Sequence, residues 1–137
     1  MILNEKLKTY SIVLASGSPR RVELLKGMGI DFSIQKLDID ETYSDDLKGA
    51  DIAVYVSQKK SAAFPENEIS EKTIVITADT IVWQNGRALE KPLDRAHAIE
   101  MLKSLSGAEH EVFTGVTLRS KIRTHSFFSR SKVWFRA

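Results

Sequence analysis

At 137 residues, 42% apolar and 28% charged, the chain has the composition of one globular domain able to bury a core. The absence of cysteine excludes disulfides and thiolate metal sites, and no apolar run reaches membrane-spanning length. With no signal-peptide pattern ahead of Leu14, the cytoplasm is the expected compartment and a membrane is not an expected partner. The net charge of +2 hides an asymmetry, since residues 119–137 carry six Lys/Arg and no acid (+6), which leaves residues 1–118 at −4.

In chain order, residues 10–15 read as a buried strand. Pro19–Met28 reads as a helix with Val22, Leu24, Leu25 and Met28 inward and Gly29 at its end. Residues 32–37 read as a second strand, followed by an acidic loop over 38–48. A helix spans 51–64 and stops at Pro65, with Ala53, Val56, Lys60 and Ala63 on one side. The β-branched run 73–83 is the strongest strand, and Gln84-Asn85-Gly86-Arg87 carries the Asn-Gly hairpin signature. Asp94 opens a helix to about Leu105, with Ala98, Leu102 and Leu105 on one face and Gly107 closing it. Residues 111–118 and 126–135 alternate as strands. Phe127, Phe128, Trp134 and Phe135 lie among the cations of the last stretch, as in some nucleic-acid binders. A pair of strands with basic outer faces accounts for the same pattern, so nucleic acid is not an expected partner. The order of elements implies an α/β fold with a mixed, twisted sheet flanked by helices.

The residues that suggest chemistry begin at the first strand–helix junction. Leu14-Ala15-Ser16-Gly17-Ser18-Pro19-Arg20-Arg21 passes from strand to a helix with Ser18 suited to the N-cap and Pro19 to the first turn. Helix N-termini favour anions, and arginines there oppose the dipole unless an anion answers them. A phosphate is the natural candidate for Ser16, Arg20 and Arg21. Asp79 interrupts an apolar strand, where a carboxylate is costly unless paired. Asp38, Asp40 and Glu41 offer hard oxygen ligands that suit Mg²⁺ or Mn²⁺. Lys91, ahead of Pro92, and Lys60, on a partly apolar helix face, are candidate phosphate cations; Lys59 is nearly as good a geometric choice. The three histidines, 97, 110 and 125, have no metal-ligand spacing.

Taken together these residues resemble the Maf family of nucleoside triphosphate pyrophosphatases. The resemblance rests on residues 14–21 with Glu23-Leu24-Leu25, on Asp38-x-Asp40-Glu41, on Lys60, and on Ala78-Asp79-Thr80. It continues through Leu89-Glu90-Lys91-Pro92, Ala98-Ile99-x-Met101-Leu102, Leu105-Ser106-Gly107 and His110-x-Val112-x-Thr114-Gly115. It implies a Maf / inosine-triphosphate-pyrophosphatase-like fold with a nucleotide-binding cleft lined by residues 14–21, 38–41 and 78–91. It also implies hydrolysis of a nucleoside triphosphate between the α and β phosphates with a divalent metal. Carried over, Asp79 is the general base, Lys60 and Lys91 are catalytic cations, and Ser16, Arg20, Arg21 and Thr80 bind substrate. Glu41 and Asp40 form the metal region. Arg20 and Thr80 resemble the branch that prefers dTTP and UTP, and a homodimer is a family-level expectation.

The resemblance also implies a single Maf-like domain over 1–137 that lacks the C-terminal part of the family pattern. From that follows a second expectation, a catalytically impaired domain that binds nucleotide or nucleic acid in a regulatory role linked to cell division.

Overall fold

A computed structural model describes residues 9–16, 18–89, 94–105, 107 and 109–134. Gly17, Lys91 with its neighbours Glu90 and Pro92, Phe135 and the side chain of Leu105 lie outside the described residues. Strand β1 (Ser11–Leu14) leads into helix α1 (Pro19–Gly27) and the short strand β2 (Ser33–Ile34). Helix α2 (Ala50–Ala63) and a 3-10 turn (Glu66–Glu68) follow. Strand β3 (Thr73–Gln84) turns into β4 (Arg87–Leu89), and helix α3 (Arg95–Leu105) precedes β5 (Glu109–Arg119) and β6 (Thr124–Trp134).

The sheet order is β2-β1-β3-β5-β6, with β4 paired to β3. β1 is parallel to β2 and β3, and β4, β5 and β6 join by antiparallel pairing. The expected mixed α/β sheet is therefore present. The Asn-Gly signature forms the β3–β4 turn, with Asn85 and Gly86 both in the left-handed region at φ 54° and 75°. The second strand is shorter than expected: residues 32–37 pair only at Ser33 and Ile34, on the sheet edge, where Ile34 is exposed.

Helix α2 packs across β3, β5 and β6. Its buried stripe is Ile52, Ala53, Val56, Ser57 and Ser61, so Ala63 is exposed, contrary to expectation. Four alternate residues of β5 meet this helix at four-residue intervals. The Phe113 ring rests against Gly49 at the helix start. Gly115 admits the backbone of Ala53 and Val54 so closely that a Cβ there would collide with it. Thr117 Oγ1 lies 2.7 Å from Ser57 Oγ. Arg119 Nη1 donates to the carbonyls of Ser61 (2.7 Å) and Phe64 (3.0 Å), closing the helix C-terminus. The match is geometric: two strand residues advance about 6.6 Å and four helical residues about 6 Å.

The other sheet face is less covered. Ile76, Val116 and Leu118 alternate with the residues under α2 and are only partly buried, and Phe127 is exposed. The inward faces expected for the flanking helices are not realised. Helix α1 has no buried residue, with Leu24 62% exposed and Met28 exposed, and on α3 Leu102 is 61% exposed. The helices have the expected apolar pattern, but among the described residues no layer packs over it. No described helix is long and apolar enough to cross a membrane.

Candidate active site

The site is assembled where α1, the loop before α2, α2 itself and β3 converge. Ser18 caps α1, its hydroxyl accepting from the Arg21 amide at 3.4 Å, with Pro19 at the first helical position as expected. Ser16, buried at the end of β1, accepts from the Ser18 amide at 3.2 Å and from Arg21 Nη1 at 3.1 Å. Arg21 Nη2 also donates to Thr80 Oγ1 at 3.3 Å, which joins the β1–α1 junction to the middle of β3. Thr80 Oγ1 is 3.1 Å from Thr114 Oγ1, its cross-strand partner on β5. Thr114 is a site residue that the candidate set did not include; its signal was its place in the Thr114-Gly115 run, which is legible only once β5 is paired to β3.

The two arginines therefore differ. Arg21 is partly buried, with its guanidinium on the Ser16 and Thr80 hydroxyls and within electrostatic range of Asp79 and Glu41, and Arg20 is exposed on the first turn of α1. Burial is the main reason the Arg21 pKa lies below the ordinary guanidinium value, while Asp79 and then Glu41 act against it.

Asp79 sits on the α2 side of β3, opposite Gly115. Its carboxyl pKa is raised, chiefly by burial. Glu41 adds to the rise, whereas Lys60 and then Arg21 oppose it. Lys60 is the organising cation. Its Nζ donates to Glu41 Oε1 at 2.9 Å and to the Ala78 carbonyl at 3.0 Å, and lies 3.6 Å from Asp79 Oδ1. Three acceptors surround an ammonium with three protons. The geometry chooses between the two adjacent lysines. Lys59 Nζ instead donates to the Thr42 carbonyl at 3.1 Å and ties down the acidic loop.

That loop splits its carboxylates in the same way. Glu41 points to Lys60, but Asp40 is held locally. Asp40 Oδ1 accepts from the Thr42 amide and Oδ2 from the Thr42 hydroxyl, both at 3.0 Å. Those bonds are the main reason its pKa lies below the ordinary carboxylate value. Glu41 and Asp79 thus share a cation that Asp40 does not touch.

A cavity of about 590 Å³ opens beside these groups, lined by Asp40–Tyr43, Asp79–Ile81 and, from β4, Ala88 and Leu89. This is a size suited to a small organic ligand. The expected wall 14–21 enters indirectly, through Ser16 and Arg21 on Thr80. Among the described residues no three His, Asp or Glu side chains gather as a ready metal site. Glu41 is the carboxylate best placed for a divalent cation, because its side chain is 57% exposed and adjoins the cavity. One carboxylate completed by substrate phosphate oxygens is an ordinary way to hold Mg²⁺, so the donor set fits.

A family profile described as Maf-like protein matches residues 11–137. The dTTP/UTP pyrophosphatase of Bacteroides fragilis is 50% identical over 116 residues, 84% of this chain and 60% of the relative. That of Bacteroides thetaiotaomicron is 48% identical over 130 residues, 94% of this chain and 67% of the relative. That of Bacillus cytotoxicus is 45% identical over 123 residues, 90% and 63% respectively. The chain spans about 60% of the length of the first of these curated relatives. The crystal structure of protein VC0702 from Vibrio cholerae superposes with a TM-score of 0.52 at 8% identity, covering 93% of this chain and 64% of that one. At that identity the likeness concerns the fold alone.

Proposed function

The chain belongs to the Maf family, and from that premise we propose that it acts as a nucleoside triphosphate pyrophosphatase on dTTP- and UTP-like substrates. The observation that carries the reading is the Glu41–Lys60–Asp79 cluster beside a cavity, with Arg21 behind it. In this reading Asp79 accepts a proton from water. The water oxygen bonds to phosphorus as the anhydride bond between the α and β phosphates breaks. The electron pair leaves with pyrophosphate, and a nucleoside monophosphate remains. In-line phosphoryl chemistry needs positioned charge and an oriented water rather than a covalent enzyme intermediate.

Burial gives Asp79 a stronger affinity for that proton than a solvated carboxylate has. Lys60 keeps the carboxylate in place, and Arg21, already partly desolvated, presents charge to a phosphate. Glu41 is the residue that would hold a Mg²⁺ or Mn²⁺ ion. The cation would offset phosphate charge and polarise the reacting phosphoryl group. Asp40 would shape the loop rather than ligate, given its bonds to Thr42. Thr80, bonded to Arg21, and the exposed Arg20 remain the proposed pyrimidine selectors, and Lys91 a proposed phosphate cation.

The test is release of pyrophosphate and monophosphate from dTTP and UTP with Mg²⁺ or Mn²⁺. Asp79→Asn is expected to lower turnover by about two to four decades, the scale of a lost general base, while nucleotide binding weakens far less. Equal loss of binding and turnover would assign Asp79 to ligand binding instead.

A further inference from the structure

Among the side-chain hydroxyls fully buried where α2 lies on the sheet, those of Ser57, Thr77 and Thr117 meet in one contact. Valine and alanine would fill the same space without polar atoms. A buried hydroxyl is costly unless bonded, so its presence asks for a reason. Thr77 and Thr117 are direct cross-strand partners. They grip the same helical residue from two sides. Thr77 Oγ1 donates to the Ser57 carbonyl at 2.7 Å, and Thr117 Oγ1 lies 2.7 Å from the Ser57 hydroxyl.

The grip sits one turn from the lysine that organises the site. Ser57 precedes Lys60 by three residues, so both lie on neighbouring turns of one helix face. Thr77 precedes Asp79 by two residues and shares its face of β3. Apolar packing alone resists separation of a helix from a sheet but resists sliding weakly, because it has no directional bond. The Gly115 contact sets how near α2 comes to β5. Arg119 holds the C-terminal end of the helix through the Ser61 and Phe64 carbonyls, and the two hydroxyl contacts fix how far along it lies at the turn next to Lys60.

We propose that Thr77 and Thr117 are positioning residues: by holding Ser57 they fix the register of α2 and so place the Lys60 ammonium between Glu41 and Asp79. They touch no substrate and act only through Lys60. The inference deepens the pyrophosphatase reading and depends on it only for the kinetic part of its test.

The test compares the full chain with two double variants. Thr77→Val with Thr117→Val keeps the branched shape and strand preference and removes both hydroxyls. The Ser57 hydroxyl retains its bond to the Val54 carbonyl, so its proton is not stranded and the variant is expected to fold. Thr77→Ser with Thr117→Ser restores the hydroxyls. The readout is the ¹H–¹⁵N signal of the Lys60 ammonium, assigned by its loss in Lys60→Arg. The expected result is a displaced or exchange-broadened Lys60 signal in the valine pair, a wild-type signal in the serine pair, and an unchanged backbone spectrum for β1 in both. With dTTP or UTP and Mg²⁺, the valine pair is expected to lower kcat by roughly tenfold to a hundredfold with KM within about twofold, as for a small misplacement. An unchanged Lys60 signal in the valine pair overturns the proposal. Loss of the signal in the serine pair as well overturns it too, because packing rather than the hydroxyls would then be responsible. If the wild-type chain hydrolyses neither nucleotide, the pyrophosphatase reading fails and the ammonium signals decide this inference alone.

Discussion

Asp79 shows how a reactive group is kept at a cost to the fold. Its folded-state pKa is raised, mainly by burial, so the folded chain holds this proton more tightly than the unfolded chain. A carboxyl of that kind favours folding fully below its unfolded pKa, and the benefit is lost as pH rises through its folded pKa. Asp79→Asn has no charge to bury, and Lys60 would keep Glu41 and the Ala78 carbonyl. The metal-free variant is therefore expected to melt at or above the wild-type temperature near neutral pH. The gap should close as pH falls through the Asp79 titration. Thermal melts at several pH values check it; a variant clearly less stable at neutral pH would show that the ionised carboxylate is a net stabiliser. In catalysis the same shift works on the acid limb. Activity that needs ionised Asp79 should fall at a pH above the ordinary carboxylate range. Much of this was legible beforehand, because a carboxylate within Ile74–Trp83 has no apolar explanation. Which of Asp40 and Glu41 would face it was not, and residue pattern alone left Lys59 beside Lys60, a choice only the family resemblance made. Adjacent residues on a helix or loop diverge by geometry that composition does not encode.

Two glycines carry the geometry of whole elements, for different reasons. Gly86 turns β3 into β4 at φ 75°, and a Cβ there would meet nothing within 4 Å. Gly86→Ala therefore costs backbone strain only, on the order of 1–2 kcal/mol, and loosens the hairpin that brings Ala88 and Leu89 to the cavity. Denaturant melts should show a drop of that size. Gly115 is not at a turn; its side-chain space is occupied by the backbone of Ala53 and Val54. Gly115→Ala must push α2 off β5 and is expected to cost about 1–3 kcal/mol, the range for overpacking. A Gly115→Ala chain as stable as wild type would mean that the helix can retreat freely. The Asn-Gly turn was visible in the sequence because its chemistry is local. The role of Gly115 was not, since the reason for it lies about sixty residues away on another element.

The whole molecule is lopsided. One sheet face is closed by α2, while the other keeps Ile76, Val116 and Leu118 only partly covered. The β6 hairpin adds exposed side chains: Ile122 at 88%, Phe128 at 54% and Trp134 at 63%. Phe127, Phe128 and Trp134 thus all lack cover. The basic residues among them do not form a free cationic stripe. Arg130 lies 3.5 Å from Glu111 and Lys132 3.7 Å from Glu109, on the neighbouring strand. These exposed cross-strand pairs contribute little to stability, but they offset charge that would otherwise keep two such surfaces apart. β6 is moreover the last strand of the sheet, with one edge unpaired among the described residues. Exposed apolar side chains beside an open strand edge favour association. The 137-residue chain is expected to self-associate reversibly. In sedimentation velocity its weight-average coefficient should rise with concentration. Replacing Phe128 and Trp134 by Lys should return it to a monomer without changing hydrolysis of dTTP, since neither residue lines the cavity. A wild-type chain that stays monomeric throughout the concentration series would show that the exposed strand is tolerated in water as it stands.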